Sequence, residues 1–138
     1  MSALVPTVAG VRLLHTSDWH LGRSFHREDL LGAQSAYVDH LVDLVRQESA
    51  DVVLVAGDVY DRALPGVDAV ALFDDALARL ADRARVILIS GNHDSARRLG
   101  FGARLIDKAG VHLRTDAATC GELARSISRT DSRAHSVD

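Results

Sequence analysis

Asp51-Val52-Val53-Leu54-Val55-Ala56 runs directly into Gly57-Asp58-Val59-Tyr60-Asp61. The first six residues are apolar almost throughout, as a strand is when both faces of its sheet are covered. The next five open on a glycine and turn polar, which marks a turn. The same succession occurs twice more. Val11-Arg12-Leu13-Leu14-His15-Thr16 leads into Ser17-Asp18-Trp19-His20, and Arg85-Val86-Ile87-Leu88-Ile89 leads into Ser90-Gly91-Asn92-His93-Asp94.

Helical patterns fill the intervals. From Leu30 to Glu48 the apolar residues Leu30, Ala33, Tyr37, Leu41, Leu44 and Val45 recur at helical spacing. Val67 to Asp82 carries Val70, Phe73, Leu77 and Leu80 along one side. Ser95 can cap a third helix that reaches Lys108, where Gly110 stops it. Val111-His112-Leu113 reads as a brief fourth strand, and Ser17 to Asp29 as a polar loop. Strand and helix alternate from end to end. That order predicts an α/β fold with a mostly parallel sheet flanked by helices and right-handed crossovers.

Outside this run the character changes. Residues 1–10 read as a flexible leader and residues 11–115 as the folded domain. In residues 116–138 apolar residues thin out while Ser, Thr and Arg alternate. That tail is expected to be disordered, apart from one short helix over 122–129, because it buries too little to offset its chain entropy.

The chain has 138 residues, 47% hydrophobic and 25% charged, which excludes a disordered or collagen-like polymer. No run of 18 apolar residues exists, and the first residues lack the basic start of a signal peptide. The single cysteine, Cys120, permits no internal disulfide, which suits a reducing cytoplasm. Net charge is −3, so bulk electrostatics give no basic nucleic-acid-binding surface. Sixteen of the 19 acidic residues are Asp, the carboxylate that favours turns and hard-metal sites over helices.

In a parallel sheet the carboxyl ends of the strands share one edge, and ligands bind in the crevice beyond it. Strand order alone therefore brings Asp18, His20, Asp58, Asn92 and His93 to one rim. Carboxylate, imidazole and amide oxygen suit Mn²⁺, Fe²⁺ or Zn²⁺, with no thiolate offered. Asp18 and His20 are two apart, so an extended backbone sends both to one face and Trp19 to the other. A carboxylate such as Asp58 can bridge two cations, and a cation pair clamps the oxygens of a phosphoryl displacement. If the carboxyls of Asp18 and Asp58 lay more than about 8 Å apart, no cation pair could join them. Asp-x-His or Gly-Asp-x-x-Asp alone is a weak signal. Gly-Asn-His-Asp in a chain this long is a chance event of about one in a thousand. All three in order, each after an apolar strand, exceed what ordinary Asx-turn loops explain.

This succession of D-x-H, G-D-x-x-D and G-N-H-D resembles the calcineurin-like metallophosphoesterases. His15-Thr16-Ser17-Asp18-Trp19-His20-Leu21-Gly22, Gly57-Asp58-Val59-Tyr60-Asp61-Arg62 and Gly91-Asn92-His93-Asp94-Ser95 resemble the SbcD family of bacterial nuclease subunits. The resemblance implies the amino-terminal half of a metallophosphoesterase β-sandwich. It implies a Mn²⁺-dependent exonuclease and endonuclease that hydrolyses DNA ends and hairpins in repair and recombination. Its partners would be DNA, an SbcC-like SMC-type ATPase and a second copy of the chain, with no membrane. By the family pattern Asp18 and His20 hold one divalent metal ion, Asp58 bridges, and Asn92 holds the second. His93 then stands beside the scissile phosphate, while Asp61 and Asp94 orient the ligands. The family's later histidine segments, ending in Gly-His-x-His, have no counterpart in this chain. The ligand set is accordingly expected to be incomplete, the chain truncated, and its activity alone weak or nil.

Arg23 and His26 follow the first segment, and Arg97 and Arg98 open the third helix. Each could touch a substrate phosphate or simply face solvent. His15 and His40 read as structural and surface residues. Three functions compete: a DNA nuclease, a phosphoesterase of small substrates, and a catalytically dead interaction module.

Overall fold

In the computed structural model, residues 7–8, 10–25 and 28–118 are described. The main sheet has five strands, β1 (Thr7–Val8), β2 (Val11–Thr16), β5 (Val52–Ala56), β6 (Arg85–Ile89) and β7 (Val111–Leu113), in the order β1-β2-β5-β6-β7. The last four run parallel, as the alternation of elements predicts, and β1 pairs antiparallel with β2. A small antiparallel pair, β3 (Ser24–Phe25) and β4 (Glu28–Asp29), lies apart from the sheet.

Helices α1 (Leu31–Gln47) and α2 (Val67–Ala81) pack against each other and against one sheet face. Strand register puts Leu14, Val53, Val86 and Val111 in one row and Val55 and Leu88 in the same layer. They form one core with Val38, Leu41 and Val45 of α1 and Ala69, Phe73, Ala76 and Leu80 of α2. Both helices bury a stripe spaced at three and four residues, which is why these sequences are helical despite weak caps. On the opposite face Val52 and Ile87 are also buried, while Val11 and Ile89 at its ends are exposed.

Three expectations need correction. Thr7–Val8 belong to the segment read as a leader, yet they fold back through Gly10, at φ 83°, to extend the sheet. The polar loop of Ser17 to Asp29 contains the β3–β4 pair. The third helix is not continuous. It divides into α3 (Ala96–Leu99), α4 (Ala103–Ile106) and a 3₁₀ turn (Asp107–Ala109). The break falls at Gly100-Phe101-Gly102. Gly102 is left-handed at φ 73°, and Gly100 lies flat against Thr115, where a methyl group would collide. Ser95 does cap α3, its Oγ accepting the Arg98 N–H at 3.4 Å, and Gly110 ends the run at φ 87°. The tail helix over 122–129 and Cys120 fall outside the described residues.

Candidate metal centre

The segments after β2 and β5 continue as a zipped pair beyond the sheet. Asp18 N–H donates to Gly57 O at 3.1 Å, His20 N–H to Asp58 O at 3.0 Å, and Leu21 N–H to Val59 O at 2.8 Å. Asp61 N–H returns to Leu21 O at 3.1 Å. This zipper brings the first two polar segments side by side at the carboxyl edge of the sheet.

Trp19 goes inward and Asp18 and His20 outward, as alternation predicts, but the backbone is not extended. Asp18 and His20 are left-handed, at φ 57° and 45°, and so is Asp58 at 49°. A non-glycine residue in that region costs about 1 kcal/mol, so the hydrogen bonds above must hold it. Trp19 anchors the turn from below. It is 1% exposed, donates Nε1–H to Thr16 Oγ1 at 2.9 Å, and meets Tyr37 and Phe73 edge-on.

Two overlapping clusters result. Asp18, His20 and Asp58 present ligand atoms all within 4.8 Å of one another. His20, Asp61 and His93 do the same. The carboxyls of residues 18 and 58 are thus well inside the 8 Å limit set by cation chemistry. His20 joins both groups, its Nε2 3.8 Å from Asp18 Oδ1 and its Nδ1 3.5 Å from Asp61 Oδ1. Nδ1 is buried and has no hydrogen-bond partner among the described residues. A buried imidazole nitrogen facing a carboxylate with no hydrogen bond between them is a donor pair suited to sharing a cation. With oxygen and nitrogen donors only, the residues present fit a divalent metal.

The third segment closes the site. His93 N–H donates to Asp58 Oδ1 at 2.9 Å, and the His93 ring stands edge-on to His20 with centroids 4.9 Å apart. His93 Nδ1 lies 2.9 Å from the Asp61 carbonyl oxygen. A carbonyl only accepts, so Nδ1 carries a proton and Nε2 is the ring nitrogen left for chemistry.

Asp94 does not enter the cluster. Its carboxylate accepts three backbone N–H groups, from Val59 at 3.1 Å, Tyr60 at 2.9 Å and Gly91 at 2.9 Å. It clamps the second and third segments together from beneath. Tyr60 packs there too. Burial first, then the charges of Asp94 and Asp74, push its phenol up to about 12, so it stays neutral.

The remaining candidates are more dispersed. Asn92 is exposed on the turn between Gly91 and His93. Arg23 lines a cleft of about 450 Å³ with Asp18, Trp19, His20, Leu30, Ala33 and Gln34. Arg97 is exposed on α3, and Arg98 lines a different, apolar cleft with Phe73 and Phe101. His26 lies outside the described residues. His15 is half-buried in β2 and His40 is exposed on α1. His112 binds Asp107 through Nδ1 at 2.8 Å. Two features escaped the sequence reading. Asp61 belongs to a cluster as a potential ligand, which its place at the end of Gly-Asp-x-x-Asp could have suggested. Gln34, buried among the apolar residues of α1, touches the first segment; no motif marks it.

Among the described residues no helix is long and apolar enough to cross a membrane. Residues 11–124 match the family model described as calcineurin-like phosphoesterase, a span that passes the boundary at residue 115 drawn from sequence.

Proposed function

The chain belongs to the calcineurin-like phosphoesterases, and from that premise we propose that it is a metal-dependent phosphodiesterase acting on DNA ends and hairpins, of the SbcD type. The convergence of Asp18, His20, Asp58, Asp61 and His93 at one strand edge carries the reading. The residues flanking Asp18, from His15 to Gly22, favour DNA over a small phosphoester.

Asp18, His20 and Asp58 would hold one divalent cation, with Asp58 shared towards Asn92 and a second. Mn²⁺ suits these donors and the family pattern. Such cations supply Lewis acidity towards phosphate oxygens and acidify water at neutral pH. In the hydrolysis, water adds its oxygen to phosphorus and the bond to the leaving sugar oxygen breaks. His93, fixed through Nδ1 to the Asp61 carbonyl, offers Nε2–H to that leaving oxygen when protonated. Asp58 holds the His93 backbone in place at the same time. Arg23, which lines the adjoining cleft with Asp18, would pair with a neighbouring phosphate.

An SbcC-like SMC-type ATPase and a second copy of the chain are the proposed protein partners. Exposed Val70 and Phe101 beside the apolar cleft, together with exposed Leu64, Val67 and Leu105, support an apolar contact surface.

The test is an assay of the purified chain with Mn²⁺, Mg²⁺ or Zn²⁺ on hairpin-ended duplex DNA and on bis(p-nitrophenyl) phosphate. Metal-dependent DNA cleavage supports the nuclease. Turnover of the small ester alone would move the substrate class to small phosphoesters. Mn²⁺ binding with no turnover of either would leave an interaction module.

A further inference from the structure

Gln34 is 6% exposed, in a buried stripe whose other members are Val38, Leu41 and Val45. An amide at an apolar position costs several kcal/mol unless its hydrogen bonds are made. Here they are made, and all go to the segment after β2. Nε2 donates to His20 O at 2.7 Å, with Trp19 O at 3.5 Å, and Oε1 accepts the Gly22 N–H at 3.0 Å.

The two shorter hydrogen bonds fall on two consecutive peptide groups. The first joins His20 to Leu21. Its carbonyl accepts from Gln34 and from the Arg23 N–H at 3.1 Å, and its N–H is held by Val59 O. The second joins Leu21 to Gly22. Its N–H is held by Gln34 and its carbonyl by the N–H of Asp61. Each plane is pinned at both ends, by α1 on one side and the second segment on the other. His20 sits at φ 45° and Gly22 at φ 85°, so these planes hold a conformation the chain would otherwise leave. Only a side chain with one donor and one acceptor at glutamine's reach does both. Glutamate lacks the donor, and leucine lacks both.

We propose that Gln34 is the positioning residue that sets the left-handed turn presenting Asp18 and His20 to the cation. The inference rests on reading that turn as half of a metal centre.

The test uses the full chain with Q34L, Q34E and, as a packing control from the same stripe, V38A. Hydrogen exchange reports the amides of residues 17–23, and calorimetry reports the Kd for Mn²⁺. In Q34L the amides of His20 to Gly22 exchange about tenfold faster while those of β6 do not. Its Mn²⁺ affinity falls about 10- to 100-fold, the range seen when a group that orients ligands is removed. Q34E, which keeps the acceptor for Gly22, shows the same loss and serves if Q34L does not fold. V38A lowers Tm and leaves Mn²⁺ affinity unchanged. The proposal is overturned if both Gln34 variants match wild type in exchange and affinity, or if V38A weakens Mn²⁺ binding equally. If wild type binds no Mn²⁺, the metal-centre reading fails, and the exchange data alone decide whether Gln34 sets the turn.

Discussion

Gly57 and Gly91, at the start of the Gly-Asp-x-x-Asp and Gly-Asn-His-Asp motifs, lie back to back. A Cβ on Gly57 would sit 2.8 Å from the Gly91 Cα, and a Cβ on Gly91 would run into the carboxylate and amide nitrogen of Asp58. Both motifs begin with glycine because two loops must nearly touch for Asp58 to reach the His93 amide. Gly57 has a second reason in its φ of 83°.

Gly91→Ala should therefore act on the site through Asp58. The methyl group has no room unless the two segments part, which costs about 1–3 kcal/mol of overpacking strain. The parting drags Asp58 away from Asp18 and His20. Calorimetry should show at least about tenfold weaker Mn²⁺ binding, together with a lower Tm. Unchanged binding in a folded Gly91→Ala protein would mean that Asp58 is not a ligand.

The four parallel strands and the rim were legible because each is a mainly apolar run followed by a turn rich in Gly, Asp and Ser. The inward path of Trp19 was legible too, as a large apolar residue between two polar ones. What was hidden depends on backbone detail. The left-handed turns at Asp18, His20 and Asp58 carry only a weak local signature, since Asp and His are enriched at positive φ yet mostly sit elsewhere. Gln34 has the spacing of a core residue and the chemistry of a surface one, and only the fold shows what it meets. The third helix looked continuous because its capping serine and terminal glycine are in place. The break falls at Gly100-Phe101-Gly102, where Gly102 is left-handed and Gly100 packs against Thr115, fifteen residues along the chain, a contact that no helical pattern encodes.

Asp58→Asn tests the shared carboxylate. Asparagine keeps an oxygen to accept the His93 N–H, so the fold and Tm should persist. The lost negative charge should weaken Mn²⁺ binding and lower metal-dependent phosphodiester hydrolysis by at least about 100-fold. Chelation of the wild-type protein should abolish the same activity, and added Mn²⁺ should restore it. Activity that survives both would exclude a metal role for this edge.

His93 is the group to separate from the ligands. Because Nδ1–H is committed to the Asp61 carbonyl, Nε2 is the only ring nitrogen left to donate. His93→Gln should lower kcat about 10²- to 10⁴-fold, the usual weight of a general acid. KM and Mn²⁺ stoichiometry should stay near wild type. A loss of bound metal would instead make His93 a ligand, in keeping with its place beside His20 and Asp61.

Asp94 has a different signature. Its carboxylate accepts three N–H groups and offers nothing to the rim. Asp94→Ala leaves all three without an acceptor, at about 1 kcal/mol each, or roughly 3 kcal/mol together. Chemical denaturation should show this loss. Asp94→Asn, which retains one acceptor oxygen, should fall between. An alanine variant as stable as wild type would show that water replaces the clamp.

Asp107 gives the pH-dependent case, away from the rim. Its carboxylate accepts from His112 Nδ1 at 2.8 Å and from Arg114 at 3.0 and 3.3 Å. Burial alone would raise its pKa, but the hydrogen bonds from Arg114 and His112 outweigh it and hold the carboxyl below its ordinary 3.8. A folded pKa below the unfolded one means that the unfolded state binds the proton first as pH falls. The stabilisation is therefore complete above the unfolded value and is lost on acidification through the folded one. Asp107→Asn removes the acceptor charge and leaves the largely buried Arg114, whose Nε has no partner among the described residues, poorly satisfied. At pH 7 the variant should be less stable by about 2 kcal/mol. Below pH 4 the gap should narrow, because wild type loses there what the variant never had. A Tm difference that stays constant from pH 7 to pH 3 would show that this ion cluster does not tie β7 to the 3₁₀ turn in the way its geometry implies.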